Sequence, residues 1–210
     1  MDHILIGAGG HSKVVVDILR SQGKHVAGFI DDKIEKKDVL GIPILGTTRL
    51  ITEFIDAVFI VTVGDNIVRS NLVNQLKPYN LNYGQAIHPT AVISSNVVIG
   101  AGSVVMPNVV INTDTTIGEH TILNTACTID HECVLEDFVH ISPGVNLAGN
   151  VRVASHSQVG IGTSIIQGVL IGSNTIVGAG ACVVNDIESD VVVVGCPAKK
   201  IRSNQKKEHE

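Results

Sequence analysis

The chain has 210 residues and a formal net charge of −5. Because it is acidic and its obvious basic cluster lies only at the C-terminal tail, we expect no nucleic-acid partner. Hydrophobic residues make up 44% of the chain, yet aromatic residues make up only 3% and Trp is absent. We therefore expect a core of branched aliphatic side chains packed in a repetitive arrangement, since no large rings are available to fill it.

From the sequence we expect neither a signal peptide nor a membrane-spanning segment. The opening stretch MDHILIGAGGHSK lacks a basic leader, and its apolar run is too short for a signal peptide. No segment approaches the roughly 18 consecutive apolar residues that a membrane span needs. The four cysteines have no CxxC spacing, which is typical of neutral thiols in a reducing compartment. We expect a cytoplasmic protein without membrane insertion.

Residues 3–84 alternate between short apolar strands and amphipathic helices. The predicted strands are HILIG, HVAGFIDD and AVFIVTVG, and the predicted helices are GHSKVVVDILRSQ and NIVRSNLVNQLK. Such alternation predicts a parallel sheet with helices on its faces, here with four or five strands. We place this small Rossmann-like α/β domain at residues 1–86.

The motif GAGGHS follows the first predicted strand and opens the first predicted helix. The third glycine of a GxGxxG fingerprint would fall on Ser12, so the evidence for dinucleotide binding is weak. A helix N-terminus still suits a pyrophosphate, and the N–H groups offered there belong to Gly9, Gly10, His11 and Ser12.

Other polar residues of this domain are candidates for the same pocket. Asp31 and Asp32 end the second predicted strand, where folds of this type meet a ribose or a base. A solvated turn is the alternative for this acidic pair. Asn66 and Arg69 lie at the start of a later predicted helix, and we expect them to reach the same pocket.

From about residue 88 the sequence follows a period of six. Every sixth residue from Ile93 to Val183 is Ile, Leu or Val, sixteen times in succession without an insertion. A strict hexad predicts a parallel β-helix of about five triangular coils, in which three units of six residues form each coil. The corners require tight or left-handed backbone, which suits Gly, Asn and Asp. We place this domain at residues 87–210, including a closing strand and a tail.

One stretch of the predicted β-helix, TIDHECVLEDFVHISPG, contains a cluster of titratable residues. His131 can remove a proton from an amine or hydroxyl near neutral pH, and Glu132 or Asp130 could orient its ring. Gly149 follows His131 by one full coil and should therefore lie beside it. There it would leave room for a substrate, and its N–H could stabilise an oxyanion. An ordinary corner glycine is the alternative.

Several motifs resemble one known family over essentially the whole chain. They are IGAGGHSKVVVDIL, FIDD, VTVGDNIVRS, IHPTAVIS, ILNTACTIDHECVLEDFVHISPGVNLAGNVRV and VVVVGCPAKKI. With the hexads, they resemble the hexapeptide-repeat sugar acetyltransferases, which include the bacillosamine and perosamine N-acetyltransferases and homologues of the sialic-acid O-acyltransferases. The resemblance implies a left-handed β-helix, a homotrimer, and transfer of an acetyl group from acetyl-CoA to a nucleotide-linked amino sugar for surface glycans.

The resemblance also implies roles for individual residues. It makes His131 the general base, Glu132 its partner and Gly149 a contact of the acyl carbonyl. It places Asn124 and His140 near the acceptor sugar and the acetyl group, and the nucleotide in the N-terminal domain. His140 lies half a coil from His131. We therefore expect these two histidines to meet across a subunit boundary.

Family members hold CoA in a cleft between the C-terminal coils of two subunits. By this resemblance Lys200 contacts the CoA phosphates and Pro197 shapes the adjoining turn. Gly162 and Gly180 would let the pantetheine arm lie close to the backbone.

Three other functions remain open from the sequence. A sugar O-acetyltransferase would use the same base. A metal-dependent hydratase would need a histidine site, but Phe138 lies between His120 and His156, so we expect no metal. A non-catalytic scaffold is the third. Cys127 and Cys133 flank His131, yet neither shares its corner register, so we expect direct transfer rather than an acyl-enzyme.

Overall fold

The structure, a computed structural model, describes residues 1–33 and 37–204. The predicted tail beyond residue 204 lies outside the described residues. None of the described helices is long and apolar enough to cross a membrane.

The N-terminal part is a five-stranded sheet with α-helices. Its strands are β1 His3–Ile6, β2 Val26–Ile30, β3 Asp38–Val39, β4 Ile42–Gly46 and β5 Val58–Val61; its helices are α1 Gly10–Ser21 and α2 Asn66–Leu76, with 3₁₀ helices at Thr48–Phe54 and Lys77–Tyr79. The strand order is β3-β4-β2-β1-β5, and all neighbours are parallel except the antiparallel pair β3–β4. The predicted small parallel sheet is confirmed. The β3–β4 hairpin escaped prediction because its first strand is only two residues long.

Strand β1 lies between β2 and β5, so the chain leaves β1 toward one side of the sheet and later returns on the other. In open α/β sheets, ligands bind at the carboxyl ends of the strands at this switch point. The loops that follow β1 and β5, residues 7–10 and 62–65, border that crevice.

The rest of the chain is a parallel β-helix. It begins with β6 Ala86–Ile87 and continues with sixteen two-residue strands, β7 to β22, at the spacing of one hexad. Their bounds are Val92–Ile93, Val98–Ile99, Val104–Val105, Val110–Ile111, Thr116–Ile117, Ile122–Leu123, Thr128–Ile129, Val134–Leu135, His140–Ile141, Asn146–Leu147, Arg152–Val153, Gln158–Val159, Ser164–Ile165, Leu170–Ile171, Ile176–Val177 and Cys182–Val183. The second residue of each is the predicted inward aliphatic, which confirms the hexad reading. Strands β23 Val191–Val194 and β24 Lys199–Ser203 close the helix.

Each strand of the β-helix pairs with the equivalent strand of the next coil, so three parallel sheets form the sides of a triangular prism. For example, Ile111 is in register with Ile129. Ile111, Ile129 and Leu147 are between 0% and 2% exposed, because the inward aliphatics of successive coils stack on one another. Burial of these branched side chains is the main stabilising term of the domain.

The corners of the prism have left-handed backbone at fifteen successive positions. With φ between +52° and +74°, they are Asn96, Gly102, Asn108, Asp114, His120, Ala126, Glu132, Phe138, Gly144, Asn150, His156, Gly162, Gly168, Asn174 and Gly180. Gly, Asn and Asp predominate, as the sequence predicted. Other residues strain the backbone here by roughly 1–2 kcal/mol. Five corners carry such residues: His120, Ala126, Glu132, Phe138 and His156. All but Ala126 have large side chains, whose contacts are described below.

The N-terminal domain covers one side of the prism, the sheet that contains β9, β12 and β15. Val104 and Ile122 point outward from this sheet and are nevertheless only 1% exposed. Val92 and Val98 occupy the equivalent outward position on the other two sheets and are 60% exposed. The two domains therefore share an apolar interface.

Candidate active site

His131 lies at a corner of the β-helix, two residues after the end of β13. Its Nδ1 is 2.9 Å from Oε2 of Glu132, and the two side chains are 53% and 65% exposed. A carboxylate at Nδ1 favours the tautomer whose Nε2 carries a lone pair. His131 is thus arranged to accept a proton at Nε2 from a molecule bound on the outer surface of the prism.

Asp130 holds the backbone of His131 rather than its ring. Its Oδ1 accepts a hydrogen bond from the His131 N–H at 2.8 Å, and another from the Asn112 side-chain amide at 2.8 Å. These bonds, the Asn112 amide first, lower the pKa of Asp130. Of the two carboxylates that the sequence left open as ring partners, the structure pairs Glu132 with the ring.

Gly149 lies beside His131 on the next coil, as the hexad spacing predicts. A Cβ at Gly149 would come within 2.6 Å of both Nε2 and Cε1 of His131. The space freed by the missing side chain is therefore occupied by the imidazole, which corrects the expectation that it is left for a substrate. Within the described residues, the Gly149 N–H has no hydrogen-bond partner.

The cysteines that flank His131 are buried inside the prism. Cys127 and Cys133 are both 0% exposed. Burial raises the pKa of the Cys127 thiol to about 12 and also raises that of Cys133. Because the thiolate is the nucleophilic form, neither residue is suited to form an acyl-enzyme.

Helix α1 presents its N-terminus at the crevice beside β1. Its N-cap residue Gly9 provides no side-chain hydrogen bond, and a Cβ at Gly9 or Gly10 would meet only open space. Ser12 differs: it is 0% exposed, and its hydroxyl donates to the Gly9 carbonyl at 2.7 Å. The structure thus leaves the backbone of Gly9 and Gly10 accessible, whereas the Ser12 side chain braces the turn.

Asp31 and Asp32 both accept hydrogen bonds from nearby backbone. Asp31 accepts from the Ala8 N–H at 2.8 Å and ties the turn before α1 to the end of β2. Asp32 accepts from the Thr48 N–H at 2.8 Å. The pair thus orders the loops around the crevice, and its contact with a nucleotide stays a prediction.

Asn66 and Arg69 do not lie where the sequence predicted. They are 7% and 1% exposed. Both donate hydrogen bonds to the β-helix, and Arg69 also donates to groups of its own domain. Asn66 donates to the carbonyls of His156 and Ser157 at 3.2 and 3.1 Å. The expected nucleotide contact is therefore corrected: these side chains join the two domains, and their donors are already engaged.

The corner that receives them carries three stacked rings. The His120 and Phe138 ring centroids are 5.3 Å apart, and those of Phe138 and His156 are 5.2 Å apart. The Oγ of Ser70 in α2 lies 3.0 Å from His156 Nε2. From the sequence, His120 and His156 were expected on one edge with Phe138 between them, and they were weighed only as metal ligands; the ring stack was not predicted. Among residues 1–33 and 37–204, no three His, Cys, Asp or Glu side chains are grouped to hold a metal ion.

His140 and Asn124 lie on the covered sheet, facing the N-terminal domain. The Asn124 Nδ2 and His140 Nε2 atoms are 3.2 Å apart. The His140 ring also lies against the Gly64 carbonyl and near His11, so residues of both domains meet at the crevice. Burial lowers the pKa of His140 and of His11 to about 4, and the charge of Arg69 contributes. Both rings are therefore neutral at physiological pH.

Gly162 and Gly180 belong to an edge of the prism without large side chains. Gly144, Gly162 and Gly180 follow one another on this edge, and a Cβ at any of them would meet open space. Pro197 lies in the exposed turn between β23 and β24, and the neighbouring Ala198 N–H donates to the Cys182 carbonyl at 2.8 Å, which brings this turn close to the edge. These features fit an extended arm lying against the backbone.

Lys200 is engaged in an ion pair with Glu188 at the end of the prism. Both side chains are about half exposed, so solvent screens the pair and it can exchange partners easily. A contact between Lys200 and a phosphate stays a prediction.

Comparison with known proteins places this architecture in a family. Residues 3–76 match the PglD N-terminal domain, and residues 90–125 match the bacterial transferase hexapeptide of six repeats. A crystal structure of a perosamine N-acetyltransferase variant from Caulobacter crescentus, in complex with CoA and GDP-perosamine, superposes with a TM-score of 0.92. The two sequences are 38% identical, and the alignment covers 95% of this chain and 96% of that one. The chain belongs to the hexapeptide-repeat sugar N-acetyltransferases.

Two further relatives support this membership. The acetyltransferase domain of PglB from Neisseria gonorrhoeae, solved with acetyl coenzyme A, is 36% identical with a TM-score of 0.89, and covers 95% of this chain and 98% of that one. UDP-N-acetylbacillosamine N-acetyltransferase of Bacillus subtilis is 35% identical over 105 residues, which are 48% of this chain and 49% of that protein. Among the curated relatives that the chain matches, the aligned part covers between 20% and 63% of the relative's own length. The predicted family, the left-handed β-helix fold and the acyltransferase class are confirmed.

Proposed function

We propose that the protein transfers an acetyl group from acetyl-CoA to the amino group of a nucleotide-linked amino sugar. The observation that carries this proposal is the corner at residues 131–132. There, His131 is half exposed and its Nδ1 is held by Glu132 at 2.9 Å, which leaves Nε2 as the proton acceptor, in a chain that matches a perosamine N-acetyltransferase over 95% of its length.

His131 would act as the general base. Its Nε2 accepts the proton of the sugar amine while the nitrogen attacks the thioester carbonyl. When the tetrahedral intermediate collapses, the carbon–sulfur bond breaks and the imidazolium returns the proton to the departing CoA sulfur. Glu132 stabilises the imidazolium between these two events, because its carboxylate lies at Nδ1. No acyl-enzyme is needed, in agreement with the burial of Cys127 and Cys133.

Gly149 would stabilise the oxyanion of the intermediate. Its N–H is unpaired within the described chain, and the residue lies against the His131 ring. A backbone donor beside the base can hold the carbonyl oxygen of the acetyl group as negative charge develops on it.

The N-terminal domain would hold the nucleotide part of the acceptor. The accessible backbone at Gly9 and Gly10, at the start of α1, suits the pyrophosphate, since a helix N-terminus favours anions. His11, His140 and Asn124 meet at the same crevice and would face the sugar as neutral hydrogen-bonding groups.

The acyl donor would lie along the edge of Gly144, Gly162 and Gly180, with Pro197 and Lys200 near its far end. The open space outside these glycines lets an extended arm approach the backbone. We further propose a homotrimer. His131 and Glu132 are more than half exposed, so a neighbouring subunit is needed to enclose the reaction. The apolar side chains of Val92 and Val98, each 60% exposed, lie on sheets available for such contacts.

Turnover with a panel of acceptors tests the proposal. Purified protein is mixed with acetyl-CoA and UDP-, dTDP-, GDP- or CMP-linked sugars, amino and non-amino, and release of free thiol is followed. We expect turnover with an amino sugar. It should fall by about 10²–10⁴-fold in His131→Ala, the range for loss of a general base.

A matched variant, His88→Ala, removes a histidine of the same domain that bonds only to Thr90 and backbone nearby, and it should retain full activity. Turnover restricted to hydroxyl acceptors would replace the proposal with sugar O-acetylation. Undiminished turnover in His131→Ala would show that His131 is not the general base.

A further inference from the structure

Arg69 is the largest fully buried side chain of the described chain, at 1% exposure. Burying a guanidinium is costly unless its donors are satisfied. Among the described residues, no carboxylate lies within ion-pair distance of it. A cation kept without a carboxylate partner at the meeting point of two domains calls for a functional explanation.

All three nitrogens of the guanidinium are engaged, and the contacts reach both domains. Toward the β-helix, Nε donates to the His120 carbonyl at 2.8 Å and Nη2 to the Phe138 carbonyl at 3.0 Å. Toward its own domain, Nη1 donates to the carbonyls of Val63 and Gly64 at 3.0 and 3.1 Å. Because the guanidinium is planar and rigid, it fixes the loop after β5 relative to two successive coils of the prism.

The Gly64 carbonyl joins this network to the predicted acceptor site. It accepts from Arg69 and also lies against the ring of His140, which in turn contacts Asn124 at 3.2 Å. The same loop borders the crevice at the carboxyl ends of β1 and β5, across from the start of α1. The position of His140 relative to that helix therefore depends on the Arg69 contacts.

We propose that Arg69 is a positioning residue for the nucleotide-sugar acceptor: it holds the loop after β5 and the ring of His140 in register with the N-terminus of α1. Arg69 touches neither substrate. This inference rests on the proposed function, because it concerns the acceptor half of the same site.

Steady-state kinetics with both substrates varied tests this role in Arg69→Met and Arg69→Lys. In Arg69→Met the KM for the nucleotide amino sugar should rise about tenfold or more, as expected when charged hydrogen bonds are lost. The KM for acetyl-CoA should stay within about twofold of wild type, since the glycine edge is untouched. Arg69→Lys keeps the positive charge but loses the planar guanidinium and its several donors, so the KM for the nucleotide amino sugar should rise less.

Ser70→Ala serves as the matched control, because Ser70 contacts the same corner at His156 but does not reach the Gly64 loop. It should leave both KM values unchanged. Melting temperatures identify variants that fail to fold, and if Arg69→Met does so, the Arg69→Lys data decide the question.

Equal rises in both KM values, no rise in the acceptor KM, or the same rise in Ser70→Ala would each overturn the inference and leave Arg69 a structural link. Wild-type turnover of the acceptor is measured first. Its absence would count against the proposed function itself, whereas wild-type turnover with unaffected Arg69 variants would count against the inference alone.

Discussion

Two edges of the β-helix have the same left-handed backbone conformation but different surroundings. Asp114, Glu132 and Asn150 form one edge, and His120, Phe138 and His156 form another. All six residues are left-handed, with φ between +52° and +64°, and each set repeats once per coil. The first edge is exposed to solvent, whereas His120 on the second is 2% exposed beneath the N-terminal domain. We name them the exposed edge and the joint edge.

The two edges show that the hexad repeat fixes the backbone conformation of each corner, whereas the surrounding residues determine the role of its side chain. On the exposed edge, a left-handed Glu132 turns its carboxylate back onto the adjacent His131 ring. On the joint edge, the left-handed residues turn three rings outward into a stack, and α2 caps the stack through Arg69 and Ser70. The same strained corner thus holds the proposed base and its partner in one place and attaches a domain in the other.

Among variants that leave the His131 and Glu132 side chains in place, the largest effect is expected from Gly149→Ala, which crowds the corner beside the exposed edge. The added Cβ would come within 2.6 Å of His131 Nε2, so the imidazole must move. Misplacing a base by about 1 Å can cost on the order of 10²-fold in rate. We expect kcat to fall by about 10–100-fold with an unchanged melting temperature. An Ala variant with wild-type kcat would show that the ring is not held against this glycine during turnover.

Acidification should lower the free energy of unfolding through the buried histidines of the joint edge and the crevice. Burial, as the first cause, lowers the pKa of His11, His120 and His140 to about 4 each. An unfolded histidine has a pKa near 6.5, so between about pH 6.5 and 4 the unfolded chain binds more protons. The stability that these groups contribute is thus complete above about pH 6.5 and is lost as the pH falls toward 4.

The expected loss is on the order of 1–3 kcal/mol per histidine. Urea unfolding at pH 7.5, 6.0 and 4.5 measures it, and His120→Asn should flatten the dependence because Asn tolerates the left-handed corner without titrating. A free energy of unfolding that is constant from pH 7 to 4.5 would mean that these rings are not held neutral by burial.

Phe138→Ala, which removes the central ring of the joint edge, is expected to cost less stability than protonation of the three histidines together. The ring stacks on both His120 and His156, so its loss should lower the free energy of unfolding by about 2–4 kcal/mol. The matched change on the exposed edge, Asn150→Gly, should cost less than about 0.5 kcal/mol. Urea unfolding measures both effects. If the two variants lost equal stability, the side chains of the joint edge would contribute no more to stability than those of the exposed edge.

The sequence could predict those features that repeat locally. The hexad of branched aliphatics predicted all sixteen strands from β7 to β22, because each inward residue is set by a period that needs no distant contact. The length of the coil likewise predicted that Gly149 lies beside His131. It did not predict that the imidazole itself fills the space at Gly149, since the period fixes the backbone and not the side-chain rotamer.

The interface between the two domains could not be predicted from such local patterns. Arg69 bonds to carbonyls 51 and 69 residues further along the chain, and no local pattern carries that information. From the sequence it resembled any other arginine near a helix start, so a ligand contact was expected. The acceptor side of the site depends on this docking, whereas the base and its partner are neighbours in the chain.

The smallest effect is expected from Asn112→Ala, which removes a support that reaches the base through one other residue. Asn112 donates to Asp130 at 2.8 Å, and Asp130 accepts from the His131 N–H. Without the amide, Asp130 still bonds to His131 but is held less firmly, so kcat should fall by about two- to fivefold while both KM values stay unchanged. Asn96→Ala is the control, because Asn96 donates to Asp114 at 3.2 Å on the same edge, and this pair has no hydrogen bond to Asp130 or His131. If both variants lowered kcat equally, the loss would reflect general loosening of the edge. A decrease confined to Asn112→Ala would show that the exposed edge is preorganised coil by coil, with each side-chain amide ordering the carboxylate at the equivalent position of the next coil.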